Sequence, residues 1–126
     1  MVKILVVDDS KFMRVMIKKM VEESGEYKVV AEAESDIEAL DMYKAHRPDL
    51  VTMDIIMPDK SGLWALKEIM KFDPSARIVM VSAMDRKDIL EEALRAGAKG
   101  FIYKPIKTET LIKGIEDAIN SNGVSG

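Results

Sequence analysis

The chain has 126 residues, 48% of them hydrophobic and 33% charged, with a formal net charge of -3. That is the length of one domain with enough apolar material for a core, which excludes intrinsic disorder. The charge is too mild for nucleic-acid binding by bulk electrostatics, and the absence of cysteine excludes disulfides, thiol catalysis and thiolate metal sites.

No apolar run approaches the roughly 18 residues of a membrane span, and the run at 4–7 is too short for a signal peptide. A soluble cytoplasmic domain with neither nucleic-acid nor membrane partners is expected. The methionines fall mostly inside apolar helix or strand patterns, where they serve as core filler.

Residues 3–7 form a strand, apolar without a break over 4–7 and buried on both faces, followed at once by Asp8-Asp9-Ser10. Phe12, Met16 and Met20, with Met13, Ile17 and Val21 beside them, recur at helical spacing up to a natural stop at Gly25. A second strand spans 27–33. Ser35 and Glu38 have capping-box spacing, so a helix starts there, turns Ile37, Leu40 and Tyr43 inward, and ends before Pro48. The third strand, 50–54, ends on Asp54, because Pro58 cannot donate to a sheet ladder. Leu63, Leu66, Ile69 and Met70 mark a third helix, closed by Asp73-Pro74.

The fourth strand, 77–81, runs into Ser82. Asp85 is placed to cap a fourth helix with Ile89, Leu90, Ala93 and Leu94 inward and Gly97 at its end. The fifth strand, 100–104, stops at Pro105, and Thr108 is placed to cap a fifth helix with the stripe Leu111, Ile112, Ile115, Ala118 and Ile119. Residues 1–120 make one domain, and 121–126 make a flexible C-terminal tail.

Strict strand-helix alternation with short connections predicts an α/β fold: a five-stranded parallel sheet with helices on both faces. The doubly wound, flavodoxin-like order 2-1-3-4-5, known for folds of this class, accommodates five such units. In that order the first and third strands meet at the switch point. Their ends bring Asp8, Asp9 and Asp54 together, with Ser82 and Lys104 from the fourth and fifth strands.

Taken singly, an Asp or Ser after a strand is more often a helix cap than a ligand. The set behaves differently. Three carboxylates packed together repel, and burying them without a cation costs on the order of several kcal/mol. Lys104 offsets one charge. A divalent cation offsets the other two, and hard oxygen ligands without His or Cys select Mg²⁺. A carboxylate can itself accept a phosphoryl group, with Lys104 as a point charge for its oxygens and Ser82 as a hydroxyl donor. His46, before Arg47-Pro48 at a helix end, is expected in solvent. Trp64, on the third helix, is expected partly in the core.

Four motifs, Val-Asp-Asp-Ser at 7–10, Met-Asp-Ile-Ile-Met-Pro-Asp at 53–59, Ser-Ala at 82–83 and Lys-Pro at 104–105, occur in an order and spacing that resemble the receiver domain of two-component response regulators. The resemblance covers nearly the whole chain, from Val2 to about Ile119. Phe-Met-Arg at 12–14, Val-Thr-Met-Asp at 51–54 and Ser-Ala-Met at 82–84 are most similar to single-domain chemotaxis regulators of the CheY type. Ser35-Asp36 departs from that group, where an Asn-Gly pair is common.

The resemblance implies that Asp54 is the phosphoacceptor. It implies that Asp8, Asp9, Asp54 and the backbone carbonyl of Ile56 hold Mg²⁺. It assigns Ser82 and Lys104 to the phosphoryl group and makes Ser82 and Phe101 the switch pair. The Lys104-Pro105 bond is cis in similar proteins. The implied partners are a histidine kinase and a downstream protein, a flagellar motor switch being one candidate. That target would dock on the face made by the fourth helix, fifth strand and fifth helix, with Tyr103, Lys87 and Lys107 as candidate contacts. In similar proteins Ile56 and Met84 would flank the hydrolytic water's path, and both are apolar here, which implies a long-lived phosphoryl group and a separate phosphatase.

The resulting expectation is a switch that assists its own phosphorylation and dephosphorylation rather than a turnover enzyme. The alternatives are a receiver of a phosphorelay or of a longer transcriptional regulator and, from another class, an aspartate-nucleophile phosphohydrolase. A hydrolase would need an acid-base residue two positions after its nucleophile, where this chain has Ile56.

Overall fold

The computed structural model describes residues 1–56, 61–83 and 86–120. Ten elements alternate along it: β1 (Val2–Val7), α1 (Lys11–Glu22), β2 (Tyr27–Ala33), α2 (Asp36–His46), β3 (Leu50–Asp54), α3 (Gly62–Phe72), β4 (Ile78–Ser82), α4 (Lys87–Arg95), β5 (Gly100–Tyr103) and α5 (Thr108–Asn120). All strand pairs are parallel, as the alternation implies, and the sheet order is β2-β1-β3-β4-β5, the doubly wound order known for flavodoxin-like folds. No described helix is long and apolar enough to cross a membrane.

Because side chains alternate across a strand, each central strand feeds two cores. Leu5, Val7, Val51, Met53, Ile78 and Met80 pack against α2, α3 and α4 through Ala39, Tyr43, Leu66, Ile69 and Ala93. Ile4, Val6, Leu50, Val79 and Val81 pack against α1 and α5 through Ile17, Val21, Leu111 and Ile115. Burial on both faces explains why these strands read as unbroken apolar runs.

Three helices start on serine caps. The hydroxyls of Ser10, Ser35 and Ser61 accept from the backbone N–H groups of Met13, Glu38 and Trp64 at 3.3, 3.2 and 3.2 Å. The Glu38 carboxylate turns back as a capping box requires, but it accepts from the N–H of Glu34 at 2.7 Å, one residue before the cap. Thr108 is the first residue of α5 itself, and the carbonyl of Lys107 accepts from Leu111. Helix α4 begins after Arg86, which makes no side-chain cap bond and instead pairs with Asp88. The expected caps or breaks at Asp85 and Pro58 lie outside the described residues, as do Met84 and the expected tail at 121–126.

Three apolar residues face outward against expectation. Ile37 is 47% exposed, Leu94 53% and Phe12 70%. In each helix a different stripe points inward: Asp36, Ala39 and Tyr43 in α2, Ala93 in α4, and Ile17 and Val21 in α1. Neighbours along a helix are turned about 100° apart, so burying Asp36 and Ala93 turns Ile37 and Leu94 out.

At the far end of the sheet, Tyr43 braces α2 to α3. Its hydroxyl donates to Asp73 at 2.7 Å, its ring meets Phe72 edge-on at 6.3 Å, and the Arg47 guanidinium lies over Phe72 at 4.6 Å. Burial, then the bond to the Asp73 carboxylate, raises the Tyr43 phenol well above its ordinary value, so the hydroxyl stays a donor.

The backbones come close together at Gly62, where α3 docks on the end of β3. The Gly62 N–H donates to the Ile55 carbonyl at 2.8 Å, and a Cβ on Gly62 would lie 1.9 Å from the Asp54 carbonyl oxygen. Only a hydrogen fits there. Gly62→Ala is therefore expected to destabilise the fold by about 3 kcal/mol or more, because two backbones rather than a flexible side chain must separate. Urea denaturation checks this, and a midpoint equal to wild type would refute the packing argument.

Candidate functional site

The register of the sheet assembles the polar strand ends. Val7 lies beside Met53, Asp54 beside Val81 and Ser82 beside Tyr103. Asp8 therefore follows β1 at the level of Asp54, and strands β4 and β5 deliver Ser82 and Lys104 at the same edge. Asp8 is 1% exposed, Asp54 5% and Ser82 0%, whereas Asp9 is exposed. One carboxylate oxygen from each of Asp8, Asp9 and Asp54 lies within 4.8 Å of the others. All five sequence-predicted side chains thus sit on the carboxyl edge of the sheet, where open α/β folds place their ligands.

Asp8 is held at every polar atom. Its N–H donates to the Ala33 carbonyl at 3.0 Å and its carbonyl accepts from Arg14 at 2.7 Å. Its carboxylate accepts from the Ser10 N–H at 2.9 Å and from Lys104 Nζ at 3.1 Å. Asp54 is held more loosely, accepting from the Ile56 N–H at 3.3 Å and from Lys104 Nζ at 3.4 Å. The Lys104 backbone N–H is anchored to the Ser82 carbonyl at 3.0 Å, and the Lys104-Pro105 peptide is cis.

The electrostatics follow from this geometry. Burial pushes the Asp54 carboxyl above its ordinary value. Lys104 opposes that rise, Asp8 adds to it, and the Ile56 N–H opposes it again. Burial disfavours the Lys104 ammonium, but the bond to Asp8 and the charge of Asp54 outweigh this and raise its pKa, so the lysine stays charged. One ammonium facing three carboxylates leaves net negative charge at a site whose donors are all hard oxygens. That set fits Mg²⁺.

Phe101 and Ser82 share a face of the sheet, since Met80 pairs with Phe101 and Ser82 with Tyr103. Phe101 is partly buried against the α2–α4 core, with its ring 5.2 Å from that of the half-exposed Tyr103. Lys87 and Lys107 are exposed. Ile56 is 57% exposed beside Asp54, Trp64 packs partly in the core, and His46 lies in solvent at the end of α2.

Two contributors escaped the sequence reading. Gly62 carries no polar or apolar side chain to mark it, yet it lets α3 approach Asp54. Arg14 was legible only as part of a motif, although its spacing to Ile17 and Val21 sets a charge on the inward stripe of α1, itself a signal of a buried ionic role.

Residues 4–116 match the family described as response regulator receiver domain. The chemotaxis protein CheY of Bacillus subtilis (strain 168) is 48% identical over 118 residues, which are 94% of this chain and 98% of that one. The Thermotoga maritima CheY is 45% identical over 113 residues, 90% of this chain and 93% of that one. A chain of the CheX–CheY–BeF₃–Mg²⁺ complex of Borrelia burgdorferi superposes with a TM-score of 0.86 at 34% identity, covering 90% of this chain and 86% of that one.

The raised Asp54 carboxyl carries a sign for stability. The folded state holds the proton more tightly than the unfolded chain. Stability is therefore lost as pH climbs from the ordinary aspartate value through the raised one, and the full cost is present at neutral pH. Asp54→Asn is expected to melt higher than wild type at pH 7, by on the order of 1 kcal/mol, with the gap closing below about pH 4. Melting curves across that range test it, and a variant that melts lower than wild type at pH 7 would overturn the assignment.

Proposed function

The chain belongs to the response regulator receiver domain family, and on that premise we propose that it is a chemotaxis-type phosphorylation switch with Asp54 as its phosphoacceptor. The observation that carries the reading is the Lys104 ammonium set between the buried carboxylates of Asp8 and Asp54, at the end of a central strand. Receivers of this kind work with histidine kinases and downstream target proteins in two-component signalling, and relatives of this chain are chemotaxis proteins. Like its relatives, the domain is read as a cytoplasmic signalling switch rather than a turnover enzyme.

In the proposed reaction one Asp54 carboxylate oxygen attacks the phosphorus of a phosphohistidine. The O–P bond forms as the N–P bond breaks, and the departing imidazole nitrogen takes a proton from solvent. Asp8, Asp9, Asp54 and the Ile56 carbonyl would hold Mg²⁺. When bound, the ion supplies positive charge to the phosphoryl oxygens. Lys104 then exchanges its bond to Asp54 for a phosphoryl oxygen and stays paired with Asp8, and the Ser82 hydroxyl donates to another oxygen.

Moving Ser82 would vacate space on the face it shares with Phe101. The turn of that ring would alter the surface of α4, β5 and α5, including Tyr103, Lys87 and Lys107, where the target docks. The coupling is a shift between two populations, so the target must bind one of them better. Ile56 has no acid-base capacity, which disfavours the phosphohydrolase reading.

Wild type incubated with acetyl phosphate and Mg²⁺ is expected to gain one phosphoryl group, and Asp54→Asn none while staying folded. Mass spectrometry of the intact protein decides this, and an adduct on the variant would place the acceptor elsewhere.

Decay of the phosphoryl group supplies a second prediction. The apolar, exposed Ile56 cannot orient a water molecule. Ile56→Asn and Met84→Glu are expected to shorten the phosphoryl lifetime about tenfold, roughly 1.4 kcal/mol of barrier. Equal or slower decay in both variants, followed after acetyl phosphate is removed, would show that these side chains do not govern hydrolysis.

A further inference from the structure

Arg14 stands on the inward side of α1 with its side chain 12% exposed. Its Nε donates to Glu32 Oε1 at 3.0 Å, and its terminal Nη1 donates to the Asp8 carbonyl oxygen at 2.7 Å. That carbonyl belongs to the peptide unit joining Asp8 to Asp9. The unit is planar, so holding its oxygen fixes the plane from which both acidic side chains depart. The other end of Asp8 is already fixed by Ser10, Lys104 and Ala33. Asp9 is exposed and has no comparable set of restraints among the described residues. The Asp8–Asp9 peptide is therefore the element that aims Asp9, and the Arg14 guanidinium is its clamp. Glu32 on β2 takes the Nε–H and so orients the planar fork toward the carbonyl.

We propose that Arg14 is a positioning residue of the cation site: it fixes the relative directions of the Asp8 and Asp9 carboxylates without touching the ion. The proposal rests on the reading of Asp8, Asp9 and Asp54 as a Mg²⁺ site. Positioning and bare electrostatics have opposite signs here. Arg14 is a positive charge near a cation site, so by Coulomb's law alone its removal would tighten Mg²⁺ binding. If Arg14 works as a clamp, removal loosens binding instead, and losses of outer supporting groups are typically about 10-fold or more in metal affinity.

The test is calorimetric titration of MgCl₂ into wild type, Arg14→Met and Arg14→Lys, with amide hydrogen exchange of the metal-free proteins alongside. Arg14→Met is expected to bind about tenfold more weakly. Arg14→Lys keeps the charge but cannot span both Glu32 and the Asp8 carbonyl, so it is expected to weaken binding as well. In both variants the Asp8 and Ser10 N–H groups are expected to exchange faster, while those of the β3 core keep wild-type protection. Binding by Arg14→Met as tight as or tighter than wild type would overturn the clamp while leaving the metal site standing. If Arg14→Met does not fold, unchanged affinity and exchange in Arg14→Lys would overturn it equally. Absence of Mg²⁺ binding in wild type itself would fell the metal reading, and the proposal with it.

Discussion

Asp8 and Asp54 are carboxylates with almost no contact with water, and the sheet sets Lys104 against both of them. Charge buried on this scale is tolerated only when paired, and one ammonium cannot pair with two carboxylates and the exposed Asp9 beside them. Burial raises the Asp54 carboxyl, with the charge of Asp8 adding to the rise, and the two carboxylates keep Lys104 protonated against its own burial. The negative charge left over makes the edge of the sheet attractive to a hard cation. Stability is given up locally at Asp54, a common arrangement where a site binds charge that the free protein lacks.

Much of the fold serves to hold that arrangement. The order β2-β1-β3-β4-β5 puts the ends of β1 and β3 side by side, so Asp8 and Asp54 meet although 46 positions separate them. Gly62 brings α3 onto the Asp54 carbonyl, and Ser10 caps α1 while its N–H holds the Asp8 carboxylate. The two cores above and below the sheet make β1, β3 and β4 rigid, and a rigid edge fixes distances that loops could not. Phe101 and Ser82 lie on one face of adjacent strands, which gives a change at the site a short route to the outer surface of β5.

The elements were legible because strands buried on both sides produce unbroken apolar runs and the helices have marked starts and stops. Asp8, Asp54, Ser82 and Lys104 were legible as polar residues ending apolar strands, and the strand order made them neighbours. Helix faces were harder. Ile37 and Leu94 looked like core residues by hydropathy, yet α2 buries Ala39 rather than Ile37, and on α4 Ala93 is buried as expected while Leu94 faces out. The buried Asp36, with one carboxylate oxygen on the Ile37 N–H and the other lacking a hydrogen-bond partner among the described residues, runs against any rule based on polarity. Gly62 was hidden because its role depends on a backbone distance, which no residue type encodes.

The most direct measurement is a carbon-13 NMR titration of the Asp54 carboxyl in metal-free protein, in wild type and in Lys104→Met. If the site is short of positive charge, Asp54 titrates above the ordinary aspartate range in wild type and higher still once the lysine is gone. An Asp54 carboxyl that titrates at or below that range, or one indifferent to Lys104, would contradict the account.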